Sequence, residues 1–437
     1  MRILHVSYLH PAITPGGAQQ VAFELFQASI DQGHEAVLIS ALEIGHEDAF
    51  GKPGAPIVPF HGQSNQYLFF PQFYEFPHLS TGDWRSVQFF REFVEQFSPD
   101  VIHFHHYHRI GVECIRAARL GAPHAVISLS FHEMLAICMA DGQMVTTKDR
   151  QLCHAATPLA CHLCFSHLRP EFFTLRTQRL QALLDECDAF IFPSEFLSDR
   201  YLSWGLSGSK SVVIPNGQID LSGAFNRTSH SKTLNRFGFF GQFIDNKGID
   251  IVLEALILLA REKRVPTGGI IFEINGSSKN FASGAYLERI QQLLETLSSM
   301  ENTGIRIIDR GRYDRHELAG RMSTIDWVLV PSTWWEVFGL VVSEAWMFGR
   351  PVIAAAIGGL AERVKDDVNG YTFSPRDPRS LADRLSDLIG NEERWEAAHT
   401  GCERPWTHVD MLNAHISIWQ EMRRPKIPPL PPLKRQA

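Results

Sequence analysis

The sequence predicts an α/β protein made of two doubly wound domains, each with a parallel sheet between helices. At 437 residues the chain exceeds the size at which one hydrophobic core usually stops growing. Near its start, a strand at residues 2–7, a helix at about 19–32 and a strand at 36–39 follow one another, as in a doubly wound sheet. The same order begins again with a strand at 237–240 and a helix at 249–263.

Composition narrows the function without defining it. Hydrophobic residues make up 44% of the chain and charged residues 20%, as in ordinary globular proteins, and the formal charge of −7 argues against nucleic acid as the main partner. No apolar run is long enough to span a bilayer, and the first residues resemble a strand more than a signal peptide. Seven cysteines, an odd number, fit a reducing compartment. We therefore expect a cytoplasmic protein.

The first half continues the alternation of strands and helices. Residues 43–85 are rich in Gly, Pro, His and aromatics and have weak periodicity, which predicts irregular loops. Beyond them we predict helices at about 86–97 and 170–184, a helix that ends at 204, and strands at 100–104, 124–130, 189–192 and 211–214. A polar run at 227–232 is the best candidate for a linker.

Two groups in the first half have a functional and a structural interpretation. Gly16-Gly17 precedes the first helix but is not a G-x-G-x-x-G motif, so a tight turn explains it as well as a phosphate loop. Four histidines crowd the end of the strand at 100–104: His103, His105, His106 and His108. Imidazole is a common metal ligand, but alternation along a strand keeps the four from converging on one ion. A polar strand end is the plainer interpretation.

Four cysteines follow within fewer than thirty residues, the last two as a C-x2-C pair: Cys138, Cys153, Cys161 and Cys164. Four thiolates suit a tetrahedral zinc ion, which would help to order the pattern-poor loop at 140–158. The spacing is not one of the well-known zinc patterns. A structural zinc and a set of free thiols therefore both stay open, and we do not expect a catalytic metal here.

The second half repeats the alternation more regularly. Strands are predicted at 270–274, 305–308, 325–330, 351–355 and 371–373, and helices at 285–298 and 409–423. Asp314 and Glu317 have capping-box spacing at the start of a further helix. Lys247 lies between the strand at 237–240 and the helix at 249–263, where an ammonium group beside helix amides would neutralise a diphosphate. A solvated surface lysine is the alternative.

Two glutamates eight residues apart occupy a strand–loop–helix segment of this half. The apolar run at 325–330 leads into a loop that carries Glu336, and the following helix carries Glu344. Open α/β sheets bind ligands where the carboxyl end of a strand leads into a helix. The two carboxylates could therefore hold hydroxyl groups at either end of a bound phosphate ester.

The start of that helix adds a phosphate-binding feature. Amides around Phe338, Gly339 and Leu340 would open the helix N-terminus, which favours phosphate oxygens through unpaired N–H groups and the helix dipole. Gly339 would let the backbone approach an anion without a Cβ atom in the way. Together with the two glutamates, these features predict a nucleotide-sugar site.

The segment P-S-x-W-W-E-x-F-G-L-V-x-x-E-A, which contains Glu336 and Glu344, resembles the signature of retaining GT-B glycosyltransferases of family 4. The resemblance implies that Glu336 holds hydroxyls of the donor sugar and that Glu344 holds ribose hydroxyls. It also implies that Gly16 and Gly17 face the donor diphosphate and the acceptor across a cleft. A histidine after the strand at 124–130 lies across that cleft in the family, which implies this place for His132.

The resemblance is incomplete at one position. The family segment G-R-x-x-x-x-K-G grips the diphosphate with its arginine and its lysine. In this chain Gly241 is followed by Gln242, and Lys247 stands at the lysine position. Lys247, or a residue outside the motif, must therefore supply more of the positive charge.

The resemblance implies two Rossmann-like domains that face each other across a cleft, the GT-B arrangement. The expected parts are an acceptor-side domain at 1–226 with a cysteine-bearing insertion at about 138–164, a nucleotide-sugar domain at 233–404, a helix at 405–424 that crosses back to the first domain, and a disordered tail at 425–437. Basic residues in that proline-rich tail leave a weak peripheral contact with anionic lipid open.

The expected activity is retaining transfer of a sugar from a nucleotide diphosphate sugar to a glycan or lipid-linked acceptor, in the synthesis of surface polysaccharide or glycoconjugates. Glu336, His132 and Lys247 are the expected catalytic residues, and no catalytic metal or cofactor is expected because the chain has no convincing DxD pattern. Three alternatives stay open: a GT-B epimerase or phosphorylase, a non-catalytic sugar-nucleotide-binding subunit, and a cysteine-centred metal protein.

Overall fold

The computed structural model of the chain describes residues 1–42, 55–60, 62–223, 225, 230–231, 233–276 and 282–423. Within these ranges, each half of the chain forms one sheet with helices packed against it. The predicted α/β class with two parallel-sheet domains is confirmed. The predicted linker falls mostly outside the described residues, as does the tail predicted to be disordered, so the domain boundaries stay a prediction.

The first sheet has the strand order β3-β4-β2-β1-β5-β6-β7-β8. Its strands are β1 Arg2–Ser7, β2 Glu35–Ala41, β3 Ile57–Pro59, β4 Gln66–Phe69, β5 Val101–Phe104, β6 Val126–Ser130, β7 Ala189–Phe192 and β8 Ser211–Val213. All neighbouring strands run parallel except β3 and β4 at the edge, which are antiparallel. The central strands are apolar and buried, because helices cover both faces of a parallel sheet.

The helices of the first half alternate with these strands. They are α1 Gly17–Asp31, α2 Trp84–Phe97, α3 Glu113–Gly121, α4 Pro158–Cys164, α5 Pro170–Leu184 and α6 Glu195–Trp204. Side-chain caps fix several starts: Asp83 accepts from Arg85 N in α2, and Ser194 accepts from Leu197 N in α6. The helix predicted at 170–184 has the observed bounds of α5.

The second sheet has the order β11-β10-β9-β12-β13-β14 and is parallel throughout. Its strands are β9 Arg236–Phe240, β10 Ile270–Asn275, β11 Ile305–Gly311, β12 Trp327–Val330, β13 Val352–Ala355 and β14 Gly370–Phe373. The chain winds outward from β9 in one direction and then from β12 in the other. The strand order therefore reverses between β9 and β12, and ligands bind at such a switch point in doubly wound sheets.

The remaining helices are α7 Ile249–Arg261, α8 Gly284–Ser299, α9 Leu318–Met322, α10 Leu340–Met347, α11 Gly359–Arg363, α12 Pro378–Leu388, α13 Glu392–Thr400 and α14 His408–Glu421. Asp314 and Glu317 form the predicted capping box, at a 3-10 turn before α9. Helix α14 packs on the first half of the chain, where Met411, Leu412 and Trp419 share a core with residues of α1 and the first sheet. Trp419 Nε1 also donates to Ser128 Oγ at 2.8 Å.

One prediction about the fold was wrong. Residues 43–85 were predicted as irregular loops, but β3, β4 and a 3-10 turn at Phe76–His78 lie within them, while 43–54 and 61 fall outside the described residues. Short edge strands such as these owe their form to the neighbouring strand β2 rather than to local periodicity. No helix in the described part of the chain is both long enough and apolar enough to cross a membrane.

Candidate functional site

Lys247 and Glu336 meet at the switch point of the second sheet. Lys247 ends a 3-10 turn after β9, and Glu336 lies in the loop after β12. Because β9 and β12 are neighbouring parallel strands, their carboxyl ends bring these two loops together. The Lys247 ammonium lies 2.8 Å from Glu336 Oε2, as a hydrogen-bonded ion pair.

The Glu336 carboxylate is buried among hydrogen-bond donors of its own loop. Its Oε2 atom accepts from Ser332 Oγ at 3.0 Å and from Trp334 Nε1 at 3.3 Å, in addition to Lys247. Burial alone would raise the pKa of Glu336, but the charge of Lys247 and these hydrogen bonds hold it below the ordinary value of 4.5. The carboxylate is therefore ionised at neutral pH.

Glu344 has a different environment on α10. Its Oε1 accepts from Gln218 Nε2 at 3.2 Å, and Gln218 comes from the first half of the chain. Burial raises the pKa of Glu344 above 4.5, although the nearby Arg315 guanidinium opposes the shift. Two carboxylates eight residues apart thus have pKa values shifted in opposite directions.

Arg363 of α11 holds the loop between the two glutamates by hydrogen bonds to its backbone. Arg363 donates to the carbonyl oxygens of Phe338 and Gly339 at 3.1 and 2.9 Å and lies over the Phe338 ring. Gly339 has a φ of +78°, and a Cβ atom on it would lie 2.6 Å from Leu360 Cδ2. Both the backbone conformation and the packing therefore require glycine at position 339. No side chain caps the first turn of α10, which follows it.

The glycine pair of the first half faces this helix. Gly16 is the N-cap of α1 and Gly17 its first residue. A Cβ atom on Gly17 would lie 3.1 Å from Leu340 Cδ1, whereas the atoms nearest to one on Gly16 belong to the flexible side chain of Gln19. The structure therefore brings Gly17 against the start of α10, so the two halves touch beside the glutamate pair.

His132 contacts a buried group of histidines. Its ring stacks 6.3 Å from that of His105, and its Nε2 atom is buried without a hydrogen-bond partner among the described residues. Burial and the neighbouring His415 lower the pKa of His132 to about 4, so its ring is neutral at neutral pH. Among the contacts of the described residues, none joins His132 to Glu336.

The four histidines near the end of β5 divide into two pairs. His103 and His105 lie side by side, and His5 Nδ1 is 3.1 Å from His105 Nε2. His106 faces Glu133 at 3.4 Å, and His108 Nδ1 bonds to the Tyr74 hydroxyl at 2.7 Å. The four rings do not converge on one point, which strand alternation explains.

Sequence reasoning missed the arginines at this site. Gln242, which replaces the family arginine, is exposed, and Gly241 N bonds to Asn275 O at 2.9 Å. Arg150 instead reaches the Lys247 turn from the cysteine-bearing loop and donates to Asn246 Oδ1 at 3.1 Å. Because Arg150 is far from Lys247 along the chain, no motif in the sequence indicates that the two lie close together.

Arg315 is the second arginine that the sequence did not reveal. It lies at the start of the turn before α9 and forms an ion pair with Glu24 of α1. Glu24 is buried and also accepts from Ile219 N at 2.9 Å. Arg315 thereby links α1 to the surroundings of Glu344.

Comparison with known proteins agrees with this architecture. The model of Glycosyltransferase Family 4 matches residues 15–221, and the model of Glycosyl transferases group 1 matches residues 224–400. An uncharacterized glycosyltransferase of Methanocaldococcus jannaschii is 29% identical over 188 residues, 42% of this chain and 45% of that protein. D-inositol 3-phosphate glycosyltransferase of Mycolicibacterium smegmatis is 28% identical over 257 residues, 56% of each chain. The chain thus spans about half the length of these curated relatives.

Solved structures share the whole fold. Anabaena HepE in complex with UDP covers 96% of this chain and 100% of its own, with a TM-score of 0.66 at 17% identity. Sucrose-phosphate synthase from Thermosynechococcus elongatus covers 97% and 99%, also with a TM-score of 0.66 at 17% identity. At this identity the likeness concerns the fold alone. Since the two family models together span nearly the whole chain, the chain belongs to the GT-B glycosyltransferases of family 4.

Proposed function

We propose that this glycosyltransferase moves a sugar from a nucleoside diphosphate sugar to a hydroxyl group of an acceptor. The observation that carries the proposal is the Lys247–Glu336 ion pair, which joins a cation and an anion at the switch point of the second sheet. The donor class is supported by HepE, whose solved structures contain UDP or UDP-glucose.

In this proposal, the diphosphate leaves toward Lys247 and the first amides of α10. Charge that develops on the leaving group is then stabilised by groups already in position, and the α10 dipole adds to the effect. Arg150, bonded to Asn246 beside Lys247, supplies positive charge where the family arginine is missing. These groups take the part that a divalent ion plays in metal-dependent transferases.

The two glutamates hold opposite ends of the donor. The three donors to Glu336 all use Oε2, so Oε1 is the oxygen that would accept hydrogen bonds from sugar hydroxyls. Glu344 would accept from the ribose hydroxyls. His132 is neutral and would orient the sugar or the departing phosphate by hydrogen bonding rather than by charge.

We propose that transfer retains the anomeric configuration. The bond between the anomeric carbon and the diphosphate oxygen breaks while the acceptor oxygen approaches from the same face. The acceptor proton passes to the departing diphosphate, so no separate protein base is needed. Closure of the two halves around the donor would exclude water, which would otherwise hydrolyse the activated sugar.

The acceptor is proposed to be a glycan or a lipid-linked sugar. A cavity of about 660 Å³ lies between the Phe76–His78 turn and the cysteine-bearing loop, and Phe76, Phe165 and Phe172 contribute to its wall. Aromatic faces and a few polar groups are typical of small-molecule sites. The Glu75 and Asp141 side chains at the same cavity could accept hydrogen bonds from acceptor hydroxyls.

Replacing Glu336 with glutamine tests the proposal. The amide keeps the shape but removes the charge that holds Lys247, so we expect donor kcat/KM to fall by about 100-fold or more while the fold is retained. The nucleotide of the donor is identified beforehand by a thermal-shift screen, in which the nucleoside diphosphate that binds the folded chain raises its Tm. Glu295→Gln, an exposed change on α8, is the control.

Three results would count against the proposal. A Glu336→Gln enzyme with activity close to that of the unchanged chain would remove Glu336 from the mechanism. A chain that binds nucleotide sugar but never turns it over with any acceptor would favour the non-catalytic binding subunit. Donor breakdown that needs no sugar acceptor would favour an epimerase or a phosphorylase.

A further inference from the structure

Four cysteines lie in the segment between β6 and α5. We call them the four-cysteine cluster: Cys138, Cys153, Cys161 and Cys164. All four are free thiols and are partly exposed, whereas the other three cysteines of the chain are buried. The two groups therefore differ in environment as well as in position along the sequence.

A small hairpin brings the first two of these cysteines together. Val145 and Leu152 form an antiparallel bridge, and Cys153 N donates to the Met144 carbonyl at 2.8 Å. Cys138 precedes the hairpin in the chain, and its carbonyl accepts a hydrogen bond from Gly142 N at 3.1 Å. Cys138 and Cys153 also pack against the same hydrophobic core.

Helix α4 supplies the other two. Cys161 and Cys164 are three residues apart on this helix, so their side chains lie on one face. Thr147 of the hairpin donates from Oγ1 to the Cys164 carbonyl at 2.9 Å, which ties the helix to the hairpin. Thr157 caps the helix by accepting from Ala160 N.

The four thiols also interact electrostatically. Burial raises the pKa of Cys161 to about 12, and the neighbouring thiols Cys138, Cys153 and Cys164 add to the shift. Burial likewise raises the pKa of Cys138, again with a contribution from Cys153 and Cys164. The mutual contributions indicate that the four thiols lie near one another in space.

We propose that the four-cysteine cluster binds one zinc ion as a structural site. Zinc prefers four ligands in a tetrahedron, and four thiolates at about 2.3 Å complete its coordination and leave no position for substrate. Among the described residues, ligand atoms within 4.8 Å of one another occur at His230, Glu392 and Glu396 but not in this cluster. Binding must therefore draw the four sulfur atoms closer together.

The ion would fasten the loop to the proposed donor site. Trp335, next to Glu336, donates from Nε1 to the Cys153 carbonyl at 3.0 Å, and its ring packs on His154. Arg150 of the same loop bonds to Asn246, beside Lys247. A loop that lost its ion would release these contacts, so donor binding would weaken; this consequence rests on the proposed function.

Metal content of the full chain tests the site without any activity measurement. Protein purified without a metal-binding tag is expected to carry about one zinc per chain by mass spectrometry of the elements. Replacement of zinc by cobalt should give the near-ultraviolet thiolate-to-cobalt absorption. Changing Cys161 and Cys164 together to serine should abolish both signals and lower Tm.

Cys114→Ser is the matched control, because Cys114 is buried in the same half and its hydrogen bond to the Ile110 carbonyl suits a hydroxyl group. It should keep the zinc. A chain from zinc-supplemented cells that contains no zinc, contains iron instead, or keeps its zinc in the double serine variant overturns the proposal. Zinc without sugar transfer would contradict the proposed function alone, and transfer by a chain that never binds zinc would contradict this site alone.

Discussion

At the scale of single residues, Glu336 and Glu344 acquire opposite properties from their neighbours. Lys247, Ser332 and Trp334 surround Glu336 with donors, which lowers its pKa. Glu344 is buried beside Arg315 and Gln218, and burial outweighs their help, so its pKa rises. Two glutamates of one motif therefore differ in pKa because their surroundings differ.

This separation predicts the order in which activity is lost in acid. As pH falls from neutrality, Glu344 takes up its proton above 4.5 and Glu336 only below that value. Glu344 is proposed to bind the ribose, so its protonation should weaken donor binding and lower kcat/KM, which reports on the free enzyme. The value of kcat, which reports on the enzyme with donor bound, should fall only at the lower pH at which Glu336 takes up its proton. Steady-state kinetics between about pH 8 and about pH 4 would measure both.

The assignment of the upper ionisation can be checked separately. Glu344→Gln should weaken donor binding at neutral pH and remove the upper acid limb from the kcat/KM profile. A variant profile that keeps this limb would show that another group titrates there.

At the scale of elements, the donor site depends on two loops that touch through their backbones. Gly248 has a φ of +70° and is the N-cap of α7, and a Cβ atom on it would overlap the Pro331 carbonyl oxygen. Thr333 N also donates to the Asn246 carbonyl at 3.0 Å. The loops after β9 and β12 therefore approach closely enough only with glycine at position 248.

Gly248→Ala is expected to destabilise the chain by about 2 kcal/mol or more, because the left-handed backbone and the Pro331 carbonyl both resist a side chain. Denaturant unfolding would measure the change. Gly320→Ala is the control, since Gly320 lies exposed in α9 with open space around its Cα, and alanine there should stabilise by about 0.5 kcal/mol or more. Equal effects of the two changes would contradict this account of Gly248.

At the scale of the whole molecule, polar contacts hold the two halves against each other around the cleft. Glu362 of α11 accepts from the amides of Glu195 and Phe196, at 2.8 and 2.9 Å, and so caps α6 from the other half. Ser194 Oγ donates to the Val337 carbonyl at 2.6 Å. Glu362 follows the glycine pair Gly358-Gly359 by three residues, and its carboxylate binds the N-terminus of a helix from the other half.

Glu362→Ala should release this contact. We expect faster hydrogen exchange at the first amides of α6 and a donor KM raised several-fold, because the halves would close less firmly. Glu393→Ala, at an exposed position on α13, is the control. Unchanged exchange at Glu195 and Phe196 would mean that water replaces Glu362 without loss.

The sequence alone determined the fold class, the family and the segment that carries the glutamate pair. These follow from local order: buried strands alternate with helices, and the W-W-E-x-F-G-L motif is contiguous. It also predicted α5 and β7 with their observed bounds, because an apolar strand and a helix that begins at a proline carry their signals within a few residues. Residue roles and the sugar donor stay proposals.

Only the tertiary structure decided which distant residues meet. Arg150 beside Asn246, Arg315 beside Glu344 and Glu362 on α6 are pairings between segments far apart along the chain. It also put Lys247 on Glu336 and gave Glu336 and Glu344 opposite pKa shifts. The physical reason is that charge interactions and burial depend on distance in space, whereas periodicity and motif spacing record only distance along the chain.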